Sequence, residues 1–418
     1  MMYVQVVFPI ASFTSFTYKV PLNLKSNIYI GCSVNAPFRK KIIIGYIISI
    51  HNRKSFKGTT HHIDSIYKGK TDISSELWKV IIWMSKYYLS PIGLCIKTAL
   101  SSNIVKENNA HKNLYIEINH NHYQDFTDTL SKNQKKLITI LLKNNQPVLA
   151  SSYKNKISNL YYVVDTLERK KILSKLYFDK LDLKEEIKVN TSLKLSNAQN
   201  QIFQKILPHM ILNKFHSFLI HGVPGSGKTE VYIKLALEAI ANNKSVIVLI
   251  PEIILSTQME DRFKKYFGNS VAIWHSKMAS REKKHTLQKI SSGEYKIIIG
   301  ARSCIFSPVS NLGLIIVDEE QDSSYKQESP QPYYNARDVA IMRASFADCP
   351  VVLTSATPSL ESYHNTLINK MTLLQLENKY YKSPLPKVEI INMINKVSEN
   401  QIFSERLLDA IKETILKK

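Results

Sequence analysis

The run Gly222, Val223, Pro224, Gly225, Ser226, Gly227, Lys228 and Thr229 has the residue types and spacing to grip a polyphosphate. It is a full G-x-x-x-x-G-K-[ST] pattern. The glycines let the backbone curl so that its N–H groups converge on an anion, at the positive end of the helix that follows. Lys228 is placed to reach β- and γ-phosphates, and the Thr229 hydroxyl to ligate Mg²⁺. A chance match would lack a strand before the loop and a helix after it. "SFLIHG" and "TEVYIKLALEAIANN" supply both.

A second run, "LIIVDEEQ", is an apolar strand ending in Asp318 and Glu319. Two acids at a strand end are a weak signal alone and a strong one downstream of a P-loop. Asp318 would hold Mg²⁺, directly or through water, and Glu319 would orient and deprotonate an attacking water. A triphosphate and its metal would then be gripped between the glycine-lined turn and acids at neighbouring strand tips. "TSATP", Thr354 to Pro358, ends the next strand. Ser355 and Thr357 offer hydroxyls to link the phosphate site to lobe movement, although such a segment alone is an ordinary Ser/Thr turn.

These residues need a scaffold. From about residue 190, short β-branched runs ("SVIVLIP", "VAIWH", "KIIIG", "LIIVDEE", "VVLTSA") alternate with helical stretches such as "STQMEDRFKKYF" and "SREKKHTLQKIS". That is the pattern of an α/β fold: a RecA-like P-loop lobe whose parallel, doubly wound sheet is covered on both faces. Residues 1 to about 100 read as short strands broken by Pro9, Pro21, Gly31, Pro37 and Gly45, then the helix "SSELWKVIIWMSKYYL", capped by Ser74 or Ser75. Between them, "SKNQKKLITILLKNN", "PVLASSYK" and "ISNLYYVVDTLERKKILSKLYF" read as three helices in a basic segment. That fits a helix-turn-helix or winged-helix unit, or a plain helical spacer. The expected domains are a β-rich unit at 1–103, a winged helix at 104–188, the P-loop lobe at 189–385, and a linker with a last helix at 386–418. Pro384 and Pro386 mark the linker.

Of 418 residues, 44% are hydrophobic and 22% charged, so real cores can form. The net charge of +22 attracts phosphate backbones or acidic membrane surfaces, unless a Lys-, Ile- and Asn-rich composition reflects drift alone. Cys32, Cys95, Cys304 and Cys349 are scattered without a C-x-x-C pair, which argues against a disulfide framework and against a cysteine zinc site. The start "MMYVQVVFPIASFTSFTYKV" lacks a basic n-region and alternates like a strand. No stretch reaches about 18 uninterrupted apolar residues. A soluble, cytoplasmic protein without a membrane span is expected.

Taken in order, the P-loop, "PEIILSTQ", "GARSCIF", "DEEQDSSYKQE" and "SATPSLES" resemble the superfamily-two DNA helicases, and "DEEQDSSYKQE" with "YNARDVAIMRA" narrows this to the primosomal replication-restart helicases. The resemblance runs along essentially the whole chain. It implies a leading domain that recognises the 3′ end of a nascent strand, carried by "FPIASFTSFTYKVP" and "GCSVNAPFRKKIIIGYI", followed by a winged helix and a motor lobe. It implies ATP, Mg²⁺, 3′-to-5′ unwinding of forked or single-stranded DNA, and loading of the replicative helicase with other primosome proteins and single-stranded DNA-binding protein. Gln199 matches a glutamine that reads the adenine edge; an exposed helix-face glutamine is the alternative. Arg302 and Ser303 match a loop touching the DNA backbone, or an arginine in a surface ion pair. Phe16 matches an aromatic that stacks on a terminal base, or a strand aromatic in a core.

The chain also departs from that family. Gln321 stands where His is expected. An amide hydrogen-bonds but carries no charge, so altered coupling of DNA to ATP is expected with nucleotide binding kept. Thr17 replaces an acid and Arg39 a glycine, which predicts a less selective 3′-end pocket with Arg39 favouring any phosphate. A lysine expected further on falls at His61 or His62. The resemblance also implies a second lobe with an arginine finger and a zinc module. The sequence reaches Lys418 about where that lobe would begin, and it lacks the zinc module's cysteines. A missing finger costs roughly 10³–10⁵ in turnover. Taken literally, the chain would bind ATP-Mg and DNA, hydrolyse slowly and unwind poorly or not at all. Two readings follow, a working helicase or an ATP- and DNA-binding fork-recognition module, with a translocating repair or restriction ATPase as a third.

Overall fold

The structure is a computed structural model that describes residues 1–53, 58–67, 73–100, 113–119, 130–142, 148–178, 192–252, 257–275, 278–380, 388–393 and 402–417. The expected domain boundaries, Pro384 and Pro386, and the centre of "PEIILSTQ" lie outside the described residues.

The N-terminal unit holds β1 (Tyr3–Val7), β2 (Phe16–Lys19), β3 (Ser33–Phe38), β4 (Lys41–His51) and β5 (Ser65–Ile66), then helices α1 (Ser75–Tyr87) and α2 (Ile92–Leu100). The strands form one antiparallel sheet in the order β2-β1-β4-β3-β5. Alternation along the pleat puts Val4, Val6, Val34 and Ala36 in its core. Helix α1 buries Leu77, Trp78, Val80, Ile81 and Met84, the apolar stripe of a 3.6-residue period. Ser74 occupies its N-cap position, but its side chain makes no capping bond.

The middle unit contains β6 (Asn113–Ile118), α3 (Lys132–Leu142), β7 (Val148–Leu149), a 3-10 turn at Ala150–Tyr153, α4 (Leu160–Arg169) and β8 (Leu173–Phe178). The three strands pair antiparallel as β7-β6-β8. Here the expectation of three helices needs correction. "PVLASSYK" is a short strand and a 3-10 turn, and the long amphipathic run is helix only to Arg169. Lys171 sits at φ 57°, in the left-handed region, which ends the helix and turns the chain into β8.

The third unit runs through α5 (Asn197–Ile211), β9 (Ser217–Gly222), α6 (Lys228–Ala241), β10 (Ser245–Leu249), α7 (Thr257–Phe267), β11 (Val271–Trp274), α8 (Ser280–Ser291), β12 (Ile297–Gly300), β13 (Leu312–Val317), α9 (Ala336–Phe346), β14 (Val351–Ser355), α10 (Leu360–Leu367) and β15 (Thr372–Leu376). Helix α11 (Glu405–Leu416) follows, with none of its residues buried. The sheet is wholly parallel in the order β11-β12-β10-β13-β14-β9-β15. Central strands such as β10 and β13 are buried at every position, which is why they read as unbroken apolar runs. Strand β15 was not foreseen. The P-loop strand β9 and the acid strand β13 are also not neighbours, because β14 lies between them. The gripping turn and the acids therefore flank the strand that carries "TSATP".

One sheet face packs under α5, α6 and α7. The other shares a continuous core with α9 and with α1 and α2 of the N-terminal unit. Arg343 of α9 lies at 0% exposure inside that junction. Its guanidinium donates to the Ile305 carbonyl, to the Ser307 carbonyl at 2.9 Å, and to Glu76 of α1 at 3.5 Å. All four cysteines are buried free thiols, and burial pushes those of Cys95 and Cys349 up to about 12. No described helix is long and apolar enough to cross a membrane.

Gly93 shows how closely α2 lies on the β-rich unit. A Cβ there would stand 1.9 Å from the Phe8 carbonyl oxygen and 3.0 Å from that of Ile10. Alanine ordinarily gains about 0.5–1 kcal/mol over glycine in a helix. The neighbour here is backbone and cannot swing away, so overpacking of about 1–3 kcal/mol wins. Gly93→Ala is expected to lower the urea midpoint; a higher midpoint would show that α2 is not pressed against the backbone that follows β1 at Phe8 and Ile10.

Candidate active site

The P-loop leaves β9 at Gly222 and enters α6 at Lys228. Gly225 and Gly227 adopt φ 77° and 82°, conformations that exact a penalty from any residue with a Cβ. A Cβ on Gly225 would meet open space, so only its backbone demands glycine. A Cβ on Gly227 would stand 2.1 Å from Gln199 Nε2. Lys228, 8% exposed, donates from Nζ to the Gly222 carbonyl at 2.8 Å and so lies folded back along the loop. Ser226 Oγ is buried without a hydrogen-bond partner among the described residues. A loop with glycine-permitted turns, an inward lysine and an uncommitted hydroxyl fits a polyphosphate.

Gln199 is 1% exposed, not on an open helix face. Its Oε1 accepts from the Ser196 N–H at 2.8 Å in a capping box that starts α5. Its Nε2 donates to the carbonyls of Ser226 at 3.1 Å and Gly227 at 3.3 Å. Gln199 therefore ties α5 to the back of the P-loop.

The carboxylate of Asp318 is 6% exposed at the tip of β13. Burial pushes its pKa up, against the hydroxyls of Thr354 and Tyr232 and the ammonium of Lys228 that pull it down. Tyr232 donates to Oδ2 at 2.9 Å and Thr354 to Oδ1. Tyr232 lies one helical turn after Thr229 on α6, so a single buried phenol ties the start of that helix to Asp318. Tyr232 was missed by sequence reasoning. It reads as another core position of α6, and only its reach to β13 gives it a role. Among the described residues there is no cluster of three or more His, Cys, Asp or Glu side chains.

The three residues after Asp318 point in different directions. Glu319 takes φ 46°, a strained backbone for a non-glycine residue, and accepts from Gln321 Nε2 at 2.9 Å. Gln321 Oε1 accepts from Ser355 Oγ at 2.6 Å, and Ser355 Oγ accepts from the Thr357 N–H at 2.9 Å. An amide at 321 thus bridges acid and "TSATP" turns as both donor and acceptor. Thr357 joins through its backbone. Glu320, 1% exposed, faces the other way. Its carboxylate accepts from Ser359 N–H at 2.7 Å, Ser359 Oγ at 3.0 Å, Ser362 Oγ at 2.8 Å and Arg337 Nη1 at 3.1 Å. This anchor too went unread: "YNARDVAIMRA" was singled out without a role for Arg337.

Residues 196–366 match the DEAD/DEAH box helicase family, and residues 5–101 match the 3′DNA-binding domain family (3′BD). A replication restart protein PriA of Chlamydia trachomatis is 33% identical over 414 residues, covering 95% of this chain and 55% of the relative. That of Rickettsia conorii is 33% identical over 416 residues, covering 98% and 51%. That of Synechocystis is 42% identical over 258 residues, covering 60% and 31%. The chain belongs to the PriA family. It spans about half the length of the curated PriA relatives it matches.

The other positions singled out for PriA-type DNA contacts lie apart from the P-loop. Arg302 follows β12 in a 3-10 turn and donates from Nη1 to the Lys326 carbonyl at 3.0 Å, so it braces the segment after "DEEQ"; among the described residues it has no ion-pair partner. Ser303 Oγ accepts from Trp274 Nε1 at 3.1 Å. Phe16 is half-buried in β2 with ring centroids 5.8 Å from Phe8 and 5.2 Å from Phe38. Thr17 Oγ1 accepts from Gln5 Nε2 at 2.8 Å. Arg39, exposed at φ 56°, holds its guanidinium carbon 5.6 Å from the Phe38 ring centroid. The sheet thus gathers Phe16, Phe38 and Arg39 at one end. His61 and His62 are exposed beside β2, where Lys19 N–H donates to the His61 carbonyl at 2.9 Å.

The adjacent acids differ sharply in what their loss exposes. Glu320→Ala strands Arg337 with its buried partners and is expected to cost about 3–5 kcal/mol in urea denaturation. Glu319→Ala removes one bond to a half-buried amide, and its expected cost is below about 1.5 kcal/mol. Equal losses would show that Glu320 is not the anchor.

Proposed function

We propose that this chain is the fork-binding and ATP-binding part of a 3′-to-5′ DNA helicase of replication restart, working in the cytoplasm with other primosome proteins and single-stranded DNA-binding protein. The observation that carries it is the buried hydrogen bond from Tyr232 to Asp318, which ties the helix that begins at the P-loop to the carboxylate at the tip of β13. Gly222 to Thr229 would hold the phosphates and Lys228 would leave the Gly222 carbonyl for the β- and γ-oxygens. When bound, Mg²⁺ supplies charge neutralisation at the β- and γ-phosphates, with Thr229 and Asp318 as its protein ligands. Glu319 is the base for the attacking water, and its partner Gln321 holds it in place. Gln199 fixes the loop's rear; its side chain reaches the adenine edge only by giving up P-loop carbonyls. Phe16, Thr17 and Arg39 would meet the 3′ end, and Arg302 and Ser303 the backbone of the strand. Gln321, Ser355 and Thr357 would couple the two events.

The family matches at 5–101 and 196–366 support this reading, as does the charge of +22. The second reading, a fork-recognition module without unwinding, keeps the same site and differs in turnover. Isothermal titration of the 418-residue chain with a non-hydrolysable ATP analogue and Mg²⁺ is expected to saturate, and Lys228→Ala to abolish the heat. Glu319→Gln should keep binding while DNA-stimulated hydrolysis falls by about 10²–10⁴. Absence of saturable binding removes the proposal. Binding with turnover no greater than that of Glu319→Gln selects the module. Affinity for forked DNA should fall linearly in log salt, whereas a flat response would mark the basic charge as compositional.

A further inference from the structure

Helix α9 touches the N-terminal unit and two motor segments at once. At its start Arg337 donates from Nη1 to Glu320 Oε2 at 3.1 Å and to Ser359 Oγ at 2.8 Å, and from Nε to Asp338 Oδ1 at 3.1 Å. The other oxygen of Asp338 lies 3.4 Å from the Tyr88 hydroxyl, whose one proton it shares with the Asn335 carbonyl at 3.5 Å. That hydroxyl in turn accepts the Asn335 N–H, the N-cap of α9, at 3.1 Å. Tyr88 is the C-cap of α1, and its ring is set by α1's own aromatics, packing edge-on to Trp83 at 5.7 Å and to Tyr87 at 5.0 Å. An unbroken polar path therefore runs Tyr88–Asp338–Arg337–Glu320, from the unit that matches a 3′DNA-binding domain to the turn that carries Glu319.

Packing alone does not call for this path. Helices α1 and α9 already share an apolar core, and Arg343 already pins α9 to Glu76. What the polar path adds is direction. The phenol fixes one face of Asp338, Asp338 fixes the guanidinium plane, and the guanidinium fixes Glu320 between the acid turn and the start of α10. One side chain, Arg337, thus touches both Glu320 of the "DEEQ" turn and Ser359 just after "TSATP".

We propose that Tyr88 and Asp338 are positioning residues that couple occupancy of the N-terminal sheet to nucleotide binding at the P-loop, acting through Arg337 and Glu320. This rests on the nucleotide and DNA reading above. Coupling of this kind is reciprocal: DNA changes nucleotide affinity by the factor by which nucleotide changes DNA affinity. The probes are a fluorescent non-hydrolysable ATP analogue with Mg²⁺, and a single-stranded oligonucleotide with a free 3′-hydroxyl or, as control, a 3′-phosphate. For the native chain, the free-3′ oligonucleotide is expected to shift the nucleotide Kd about fivefold or more, and the blocked one less. Tyr88→Phe keeps the ring packing, and Asp338→Asn cuts the path at a second point. Each should leave either ligand's affinity alone within about twofold of native while the DNA-induced shift falls below about twofold. A native-sized shift in both variants overturns the inference, as does a native chain that binds both ligands without any shift. A native chain that binds no nucleotide overturns the proposed function, and this inference with it.

Discussion

A carboxylate driven into the interior at the end of an apolar strand must have its charge answered, and Asp318 is that group. Burial raises its pKa, so the charged form is held only by what surrounds it. The protein answers with two hydroxyls from different elements, Tyr232 on the P-loop helix and Thr354 on β14. Those bonds bind α6, β13 and β14 into one unit. With β14 between the P-loop strand and the acid strand, its Thr354 is placed to donate to Asp318.

The short turn after Asp318 then divides its work by geometry. Four consecutive residues with similar polarity end in separate surroundings because the chain reverses at Glu319, in the left-handed region. Glu319 is left half-buried, its carboxylate accepting from the Gln321 amide. Glu320 is turned inward and saturated with donors, so its role is to hold α9 and α10 against the turn. Gln321 links the acid turn to the "TSATP" turn, donating to Glu319 and accepting from Ser355. A histidine, with one donor and one acceptor nitrogen when neutral, could span the same gap but would add charge on protonation; glutamine keeps the bridge at any pH.

Much of this was legible in the sequence, and the exceptions share a cause. The parallel strands of the lobe, with β15 the exception, are runs of Ile, Val and Leu whose length and bounding turns define them, and the P-loop carries its own context. The fold class and the family follow from those segments. What failed was information the linear pattern does not hold. β15 is a short "TLLQL" run at the sheet edge, readable as the tail of a helix until β9 pairs with it. β8 was swallowed by an amphipathic helix because "KKILSKLYF" has helical spacing, and the positive φ of Lys171 overrides it. Strand order is a long-range property, so the position of β14 was invisible. Tyr232 and Arg337 drew no role from the sequence, since their partners lie on other strands and turns. Gln199 was weighed as a base reader or an exposed residue. Its use as a backbone tether could be foreseen only in part, from the Ser196–Gln199 capping-box spacing.

The same logic separates two kinds of arginine on α9. Arg343 is wholly enclosed, and burial lowers its pKa against the pull of Glu76. Its neighbours are carbonyls of the Ile305–Ser307 turn and one partner carboxylate, so it works as a permanent brace between α1, α9 and that turn. Arg337 has a side-chain exposure of 12%, and its guanidinium's described partners are side chains: Glu320 of the acid turn, Ser359 at the start of α10, and Asp338 of α9 itself, which faces Tyr88 of the N-terminal unit. Backbone carbonyls fix a side chain to the fold, whereas a chain of side chains can rearrange when one member moves. A brace and a relay on one short helix let the N-terminal unit stay packed on the lobe while the contact to Glu320 remains adjustable. That is the condition for DNA at one end to be felt at the other without the interface coming apart.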